Sequence, residues 1–518
     1  MRRRPEAAAS ARARWSAIDM NRLESEPFHT RARAALGNEQ QRGALRKAIA
    51  SIKERQLKVV ARMDDWEQLR ESARLIKDET LRRLDYYLEE FATNAERAGA
   101  KIHWARDAVE ACSIICRIAR ERGARSVVKS KSMASEEIKL NAALTAAGVE
   151  PIETDLGEWI IQLADETPSH ISVPAIHKTK AQVADLFAAK LGIERTDDIA
   201  ALTNTARDTL RRRFAAADLG ISGVNFGVAE TGTILILENE GNIRLTTSLP
   251  KTHIALMGIE KVIPRLDDLD VMLKLIAPSG AGQRMTTYQS LITGTKKRHI
   301  DEGPEEVHIV LFDNGRTQMM AHPVTRQTLA CLRCGACLNV CPVYQQIGGH
   351  AYGSVYPGPI GAVITPQLVG LSKASHLPFA SSLCGACAEV CPVKIDIPEL
   401  LLHLRAEIAE GSPNNAGADA RREKTPSWWG KERLAFRLWA RVMSSRLLYE
   451  WSMRVVRALQ RKLVRDGRIR KPVKTAAGMM PLLMAWTAQR DLRPVAERTF
   501  REQWRDELKK SEGGARRR

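Results

Sequence analysis

The sequence predicts a multidomain protein of mixed class: leading helices, an α/β domain with a largely parallel sheet, a helical cysteine-bearing module, and a basic helical C-terminal region. Three observations predict it. Residues 16 to about 95 set charged and apolar residues at three- and four-residue spacing. From about 98 to 315, short apolar runs alternate with amphipathic stretches. Seven of the nine cysteines then crowd between Cys331 and Cys391. A chain of 518 residues exceeds one hydrophobic core, and 44% hydrophobic with 27% charged residues is the composition of an ordinary globular protein. The expected boundaries are 1–97, 98–315, 316–410 and 411–518.

In the first region, Trp66-Glu67-Gln68-Leu69-Arg70 through Leu84-Asp85-Tyr86-Tyr87-Leu88 reads as an amphipathic helix. In the second, the expected strands include Ser126-Val127-Val128, Ile171-Ser172-Val173, Thr233-Ile234-Leu235-Ile236-Leu237 and Val307-His308-Ile309-Val310-Leu311-Phe312. Cys112 and Cys116, one helical turn apart, are expected to pack in a core. A linker, Gly411-Ser412-Pro413-Asn414-Asn415-Ala416-Gly417, separates the third region from the fourth.

The chain carries +19, but 27 Lys and Arg against 11 Asp and Glu place +16 of that beyond Glu410. Basicity therefore belongs to the last region, which also holds six of the ten tryptophans. From Lys431 to Leu463 the residues Trp439, Met443, Leu447, Trp451, Val455 and Leu459 recur at helical spacing among arginines. Such a face suits an anionic membrane surface or an acidic partner, and equally a solvated helical domain packing on its neighbours. No recognition motif accompanies the charge, so nucleic acid is not expected. No run of 18 apolar residues occurs, and none follows Met1-Arg2-Arg3-Arg4-Pro5, so neither a membrane span nor export is expected. A cytoplasmic chain, able to touch the inner membrane face, keeps its thiols reduced and free for metal.

The chemistry concentrates in the third region. Cys331-x2-Cys334-x2-Cys337-x3-Cys341-Pro342 is the spacing with which bacterial-type ferredoxins hold [4Fe–4S] cubes, the cysteine before proline serving the other cluster. A second motif, Cys384-x2-Cys387-x3-Cys391-Pro392, lacks the first cysteine, and Ser381 stands in its place. The exchange rule then gives Cys331, Cys334, Cys337 and Cys391 to one cluster. Cys341, Cys384 and Cys387 go to the other, whose fourth iron is held by Ser381, water or a partner group, or is absent as in [3Fe–4S]. A structural zinc site wants four tetrahedral ligands and fits seven thiols with two Cys-Pro ends poorly. The 42 residues between the motifs, 342–383, suit an α-helical ferredoxin-like module. Within them His350 is either a donor behind the ligands or a satisfied loop histidine.

The α/β region offers less. No G-x-G-x-x-G follows a strand, no phosphate-loop motif occurs, and the glycines from Gly220 to Gly227 are wrongly spaced for a dinucleotide. No flavin or nicotinamide site is expected. Lys129-Ser130-Lys131-Ser132-Met133 before a helix start can favour an anion, and Glu230-Thr231-Gly232-Thr233 precedes the most apolar strand. Both are otherwise ordinary caps and turns. Asp155, Glu158, His170 and His177 can be read as a metal site or as structural residues.

These residues resemble the lactate-utilization protein B family. The resemblance is carried by Lys129–Met133, Glu153-Thr154-Asp155-Leu156-Gly157-Glu158, Pro168-Ser169-His170 and Pro174-Ala175-Ile176-His177-Lys178. Asn225-Phe226, Ala229–Thr233, Glu238-Asn239-Glu240-Gly241-Asn242 and the cysteine region continue it, from about residue 28 to 460. It implies a lactate-utilization (LUD) domain of the isomerase/CoA-transferase-like type, then a two-cluster module with the ligand sets already given. It also implies partners: a cysteine-rich subunit and a smaller protein with only the α/β domain. The expected role is an iron–sulfur subunit of an L-lactate-oxidising complex, passing electrons rather than transforming a substrate alone. A ligand-binding redox sensor or scaffold with labile clusters is the competing role, and a substrate-binding iron at the under-ligated cluster is a third.

Overall fold

The computed structural model describes residues 26–297, 302–410, 427–461, 464–465, 467–469 and 493–515. The linker at 411–417 and the basic start of the chain lie outside them. Four helices lead: Phe28–Gly37, Glu39–Val60, Trp66–Arg82 and Leu84–Arg97. The single helix expected through Leu88 is thus two, because Arg83 leaves helical geometry at φ −125°, ψ 37°. The break lets the two pieces serve different cores. Leu69 and Ala73 pack with the cysteine module, whereas Leu84, Leu88 and Phe91 pack on the sheet.

The strands follow as β1 (Lys101–Ala105), β2 (Ser126–Lys129), β3 (Glu150–Glu153), β4 (Leu219–Gly223), β5 (Phe226–Val228), β6 (Thr233–Glu238), β7 (Thr252–Gly258), β8 (Val262–Ile263), β9 (Tyr288–Ile292) and β10 (Glu306–Phe312). Six form one sheet in the order β1-β10-β7-β4-β2-β3, every pair parallel. The alternation of its side chains buries both faces, as a covered parallel sheet requires. Ile254, Leu256, Val310 and Phe312 join Cys112 and Cys116 on one side. Ala255, Met257, Ile309 and Leu311 join Phe91 and Leu88 on the other.

Two expected strands read differently in three dimensions. Thr233–Leu237 is a strand, but it lies in a second sheet of order β8-β5-β6-β9, antiparallel on both its edges. Ile171–Val173 is a loop. The Nδ1 of His170 accepts the backbone N–H groups of Ser172 and Val173 at 3.0 and 3.2 Å, taking donors that a ladder would need.

In the cysteine region the regular elements are all helices, joined by the cysteine loops. Its core, from Leu338 and Tyr344 to Leu400 and Leu404, is continuous with Leu45 and Ile49 of the leading helices and with Phe226 and Leu235 of the small sheet. Helix, sheet and cysteine loops therefore share one interior. The chain divides into two compact units between Asn414 and Asn415. In the second, the run expected to make one helical face is two helices, Ser427–Ser444 and Arg446–Gln460, parted at Ser445, whose side chain caps the second. Leu447, Trp451 and Leu459 are 79, 65 and 62% exposed. No helix among the described residues is long and apolar enough to cross a membrane.

Candidate metal centre

The two cysteine motifs fold as copies of one loop. Arg333 and Leu383, each just before a cysteine, take left-handed φ of 61° and 55°, and Gly335 and Gly385 follow at 82° and 86°. Left-handed backbone is costly away from glycine, so its repetition at matched positions marks a shape the site demands. Short helices then begin at Ala336 and Ala386. The backbone N–H of Arg333 donates to the Cys331 Sγ at 3.4 Å, and that of Leu383 donates to the Ser381 Oγ at 3.2 Å. Ser381 thus occupies, in the second loop, the place that Cys331 holds in the first.

Cys331, Cys334, Cys337 and Cys391 line one small cavity, closed by Ile360, Val393, Ile395 and Ile397. Cys391 comes from the second motif. Arg70 holds it there, its Nε and Nη2 donating to the Cys391 carbonyl at 3.0 and 2.9 Å. Lys394 ties the same turn to Glu67 and Glu71 at 2.8 and 2.9 Å. Further N–H groups point at sulfur: Tyr344 to Cys341 at 3.5 Å and Ile395 to Cys391 at 3.3 Å. Burial pushes the Cys334 and Cys387 thiols up to about 12 and Cys391 to about 11. Metal must therefore displace protons to be held.

Cys341, Cys384 and Cys387 make the other group, close enough for their charges to act on one another. Cys384 is exposed and its two companions are buried. The Tyr352 hydroxyl is buried and has no hydrogen-bond partner among the described residues, and burial together with the nearby Cys341 and Cys337 pushes the phenol well up, keeping it a neutral donor. An orphaned phenol and several N–H donors beside clustered thiols fit an inorganic sulfide cluster, which accepts such bonds.

Positive charge gathers on the first group. Lys77 is held down to about 7 and Lys261 to about 8, by burial and by each other's neighbourhood of cations. The carboxyl of Glu260 would be raised by burial, but Arg316, Arg333 and Lys261 overcome this and hold it at about 2. Arg316 bridges Glu137 at 2.9 Å and Glu260 at 2.5 Å.

Above this loop opens a cleft of about 350 Å³ whose walls come from the ends of the parallel strands and from Leu332, Arg333 and Cys334. It is large enough for a small-molecule ligand.

Three family models match the chain: "LUD domain" over residues 88–312, "4Fe-4S dicluster domain" over 327–395, and "Lactate utilisation protein B, C-terminal" over 403–509. Curated relatives include "Lactate utilization protein B" of Shouchella clausii, 42% identical over 93% of this chain and 97% of that protein. "Lactate utilization protein B 1" of Bacillus mycoides is 40% identical over 95% of this chain and 98% of its own. "Lactate utilization protein B" of Geobacillus thermodenitrificans is 42% identical, covering 94 and 98%.

The chain belongs to the lactate utilization protein B family.

In this family member most of the remaining sequence candidates find ordinary roles, although Asp155 also lines the cleft. Lys129 is consumed by Ser135, Glu136 and Glu153 at 2.9, 3.1 and 2.8 Å. The helix that follows is five residues long and is capped by Ser132 itself. Lys131 and Ser132, however, do line the cleft. The Glu230–Thr233 turn does not; Asn94 binds the carbonyls of Ala229 and Glu230 and fastens the turn to the Leu84–Arg97 helix.

Asp155 caps the Leu156–Leu163 helix, and Glu158 is pushed up to about 8 by burial and by Glu153 and Glu136. His170 is satisfied by its own loop and by Asn339, while His177 pairs with Glu166 at 2.8 Å. No metal-holding group forms from these Asp, Glu and His side chains among the described residues, so the four do not converge. His350 bonds the Thr167 carbonyl at 2.7 Å and is a satisfied loop histidine. Cys112 and Cys116 are core residues, Cys112 donating to the Ile138 carbonyl at 3.3 Å.

Sequence reasoning missed Arg70, Lys77, Glu260, Lys261 and the side chain of Arg333. Only Arg333 carried a signal, its place inside the first motif.

Proposed function

We propose that this chain is the electron-transferring iron–sulfur subunit of an L-lactate-oxidising complex. What carries the reading is the cavity ringed by Cys331, Cys334, Cys337 and Cys391, because a ligand taken from the second motif is the arrangement of two-cluster ferredoxins. The proposed ligands are those four for one cluster and Cys341, Cys384 and Cys387 for a second, of [4Fe–4S] or [3Fe–4S] type, with Ser381 available as a fourth contact. When bound, such groups carry single electrons. The chain's own contribution is to position the sulfurs, donate N–H bonds to them, and surround the first set with Arg70, Lys77, Lys261 and Arg333. Cationic surroundings favour the more negative, reduced form. Cys384 is exposed, which makes the second set the natural point of exchange with another protein.

The partners proposed are a cysteine-rich subunit and a smaller protein with only the α/β domain, in keeping with the family match. Four regions, 1–97, 98–315, 316–410 and 411–518, would divide the labour. The last would touch an anionic membrane face or the electron acceptor through Leu447, Trp451 and Leu459, whose exposure on a basic helix supports that contact.

The test is electron paramagnetic resonance of the anaerobically prepared complex. L-Lactate should reduce two distinct signals, and Cys391→Ser should alter the same signal as Cys334→Ser. A complex whose clusters stay oxidised with L-lactate would overturn the relay. The exposed three-thiol set also supports a second reading, a redox sensor; clusters that fall apart on one oxidation cycle would favour it.

A further inference from the structure

The cleft above the first cysteine loop lies where parallel sheets bind ligands, outside the carboxyl ends of the strands at the point where the strand order reverses. From β2 the chain steps outward to β3, then returns to β4 and proceeds the other way to β7 and β10. The reversal falls between β2 and β4. Lys131 and Ser132 after β2, Asn225 after β4, and Lys261 after β7 all face the cleft.

Its lining is polar in an uneven way. On the cysteine side, the Arg333 side chain is 7% exposed, and its Nη1 and Nη2 find no hydrogen-bond partner among the described residues. The closest carboxylate oxygen, on Glu260, stands at 3.5 Å, and the other oxygen of Glu260 is taken by Arg316. Four cations, Lys77, Arg316, Arg333 and the half-buried Lys261, meet two buried carboxylates, Glu137 and Glu260. Buried guanidinium donors without acceptors are costly, so an acceptor is expected to arrive from outside. An arginine fork suits a carboxylate in two-point contact.

Elsewhere the lining is acidic. Asp155 and Glu240 each spend one oxygen on a backbone N–H, of Glu158 at 3.0 Å and Leu156 at 3.1 Å. Burial and Asp155 push the Glu240 carboxyl up to about 7, so near neutrality the pair offers both a donor and an acceptor. Hydroxyl groups need both.

We propose that this cleft binds a hydroxylated carboxylate, its carboxylate held by Arg333 and Lys261 and its hydroxyls by Asp155 and Glu240. The bound acid lies over the loop of Cys331 and Cys334, whose residues also line the cleft. The inference goes beyond the relay, which needs no ligand on this chain, and the two fail separately. Clusters that L-lactate never reduces would end the relay while leaving acid binding intact.

The test is calorimetric titration of the full-length, cluster-loaded chain with L-lactate and with D-gluconate, inorganic phosphate serving as a competitor. Saturable binding of either acid is expected, weakened at least about tenfold by Lys261→Gln and by Arg333→Gln. Glu240→Ala, outside both cysteine motifs, should weaken it too, and carries the test should Arg333→Gln lose iron. The proposal is overturned if neither acid binds at millimolar concentration, or if binding survives the substitutions unchanged. The first outcome leaves the cations serving the sulfurs alone. Phosphate displacing the acids at equal concentration would overturn the carboxylate assignment.

Discussion

Ser381 is one atom away from being an eighth ligand. Its Oγ accepts the same backbone donor that the Cys331 Sγ accepts in the first loop, at 3.2 against 3.4 Å. Ser381→Cys should therefore need no backbone change. The expected outcome is more iron retained per chain and a several-fold slower loss of the second signal in air, read by iron analysis and paramagnetic resonance. A variant that loses iron as fast as the parent would separate this position from the cluster. At this scale the sequence was nearly complete for sulfur. Spacing singled out all seven cysteines, and the exchange rule proposed grouping Cys391 with Cys331; in the structure both line one cavity. It was blind to Arg70, Lys77 and Glu260. Their distance from the cysteines along the chain is bridged by tertiary packing alone, and an isolated arginine or lysine on a helix carries no mark of its target.

Among the elements, the loop Gly348–Tyr352 shows how the cysteine module is joined to the α/β domain. The Tyr344 hydroxyl donates to the Ser169 carbonyl at 2.7 Å, and the Gly349 N–H to the Ser169 Oγ at 3.3 Å. A Cβ on Gly349 would stand 1.9 Å from that same carbonyl oxygen, where no real side chain fits. Gly349→Ala should force the two segments apart at a cost of about 1–3 kcal/mol, measured by urea denaturation of the metal-loaded chain. An unchanged midpoint would mean that the joint yields freely. This joint also explains a misread element. Ile171–Val173 has the apolar texture of a strand, yet its neighbours Ser169 and His170 are occupied in gripping the cysteine module. Local pattern reports burial; it does not report which partner does the burying. For the same reason Thr233–Leu237 was legible as a strand but not as part of a separate sheet, since its other edge pairs with β9, far along the chain.

For the molecule as a whole, the α/β domain and the cysteine module are locked by a buried charge network. Glu260 follows β7, Arg316 follows β10, and Arg333 lies in the first cysteine loop. Glu260 has its folded value lowered to about 2 from an ordinary 4.5, so its contribution is present above the ordinary value and disappears as pH falls through the folded one. The stability difference between the parent and Glu260→Gln should be full at pH 6, on the order of 3 kcal/mol, and should shrink steadily below pH 4.5. A difference that stays constant with acidification would remove the network from the account. Coarse architecture of this kind was readable in advance: the order of helix, α/β and cysteine regions follows from periodicity and spacing. The merging of all three into one interior was not, because it depends on the leading helices lying across loops some 320 positions later, as Arg70 does on Cys391. That long reach has a bearing on biogenesis. Synthesis delivers Arg70 early and Cys391 late, so the first sulfur quartet cannot close while the nascent chain is still short of its second motif. Closure of that cavity therefore waits until translation of the whole module is finished.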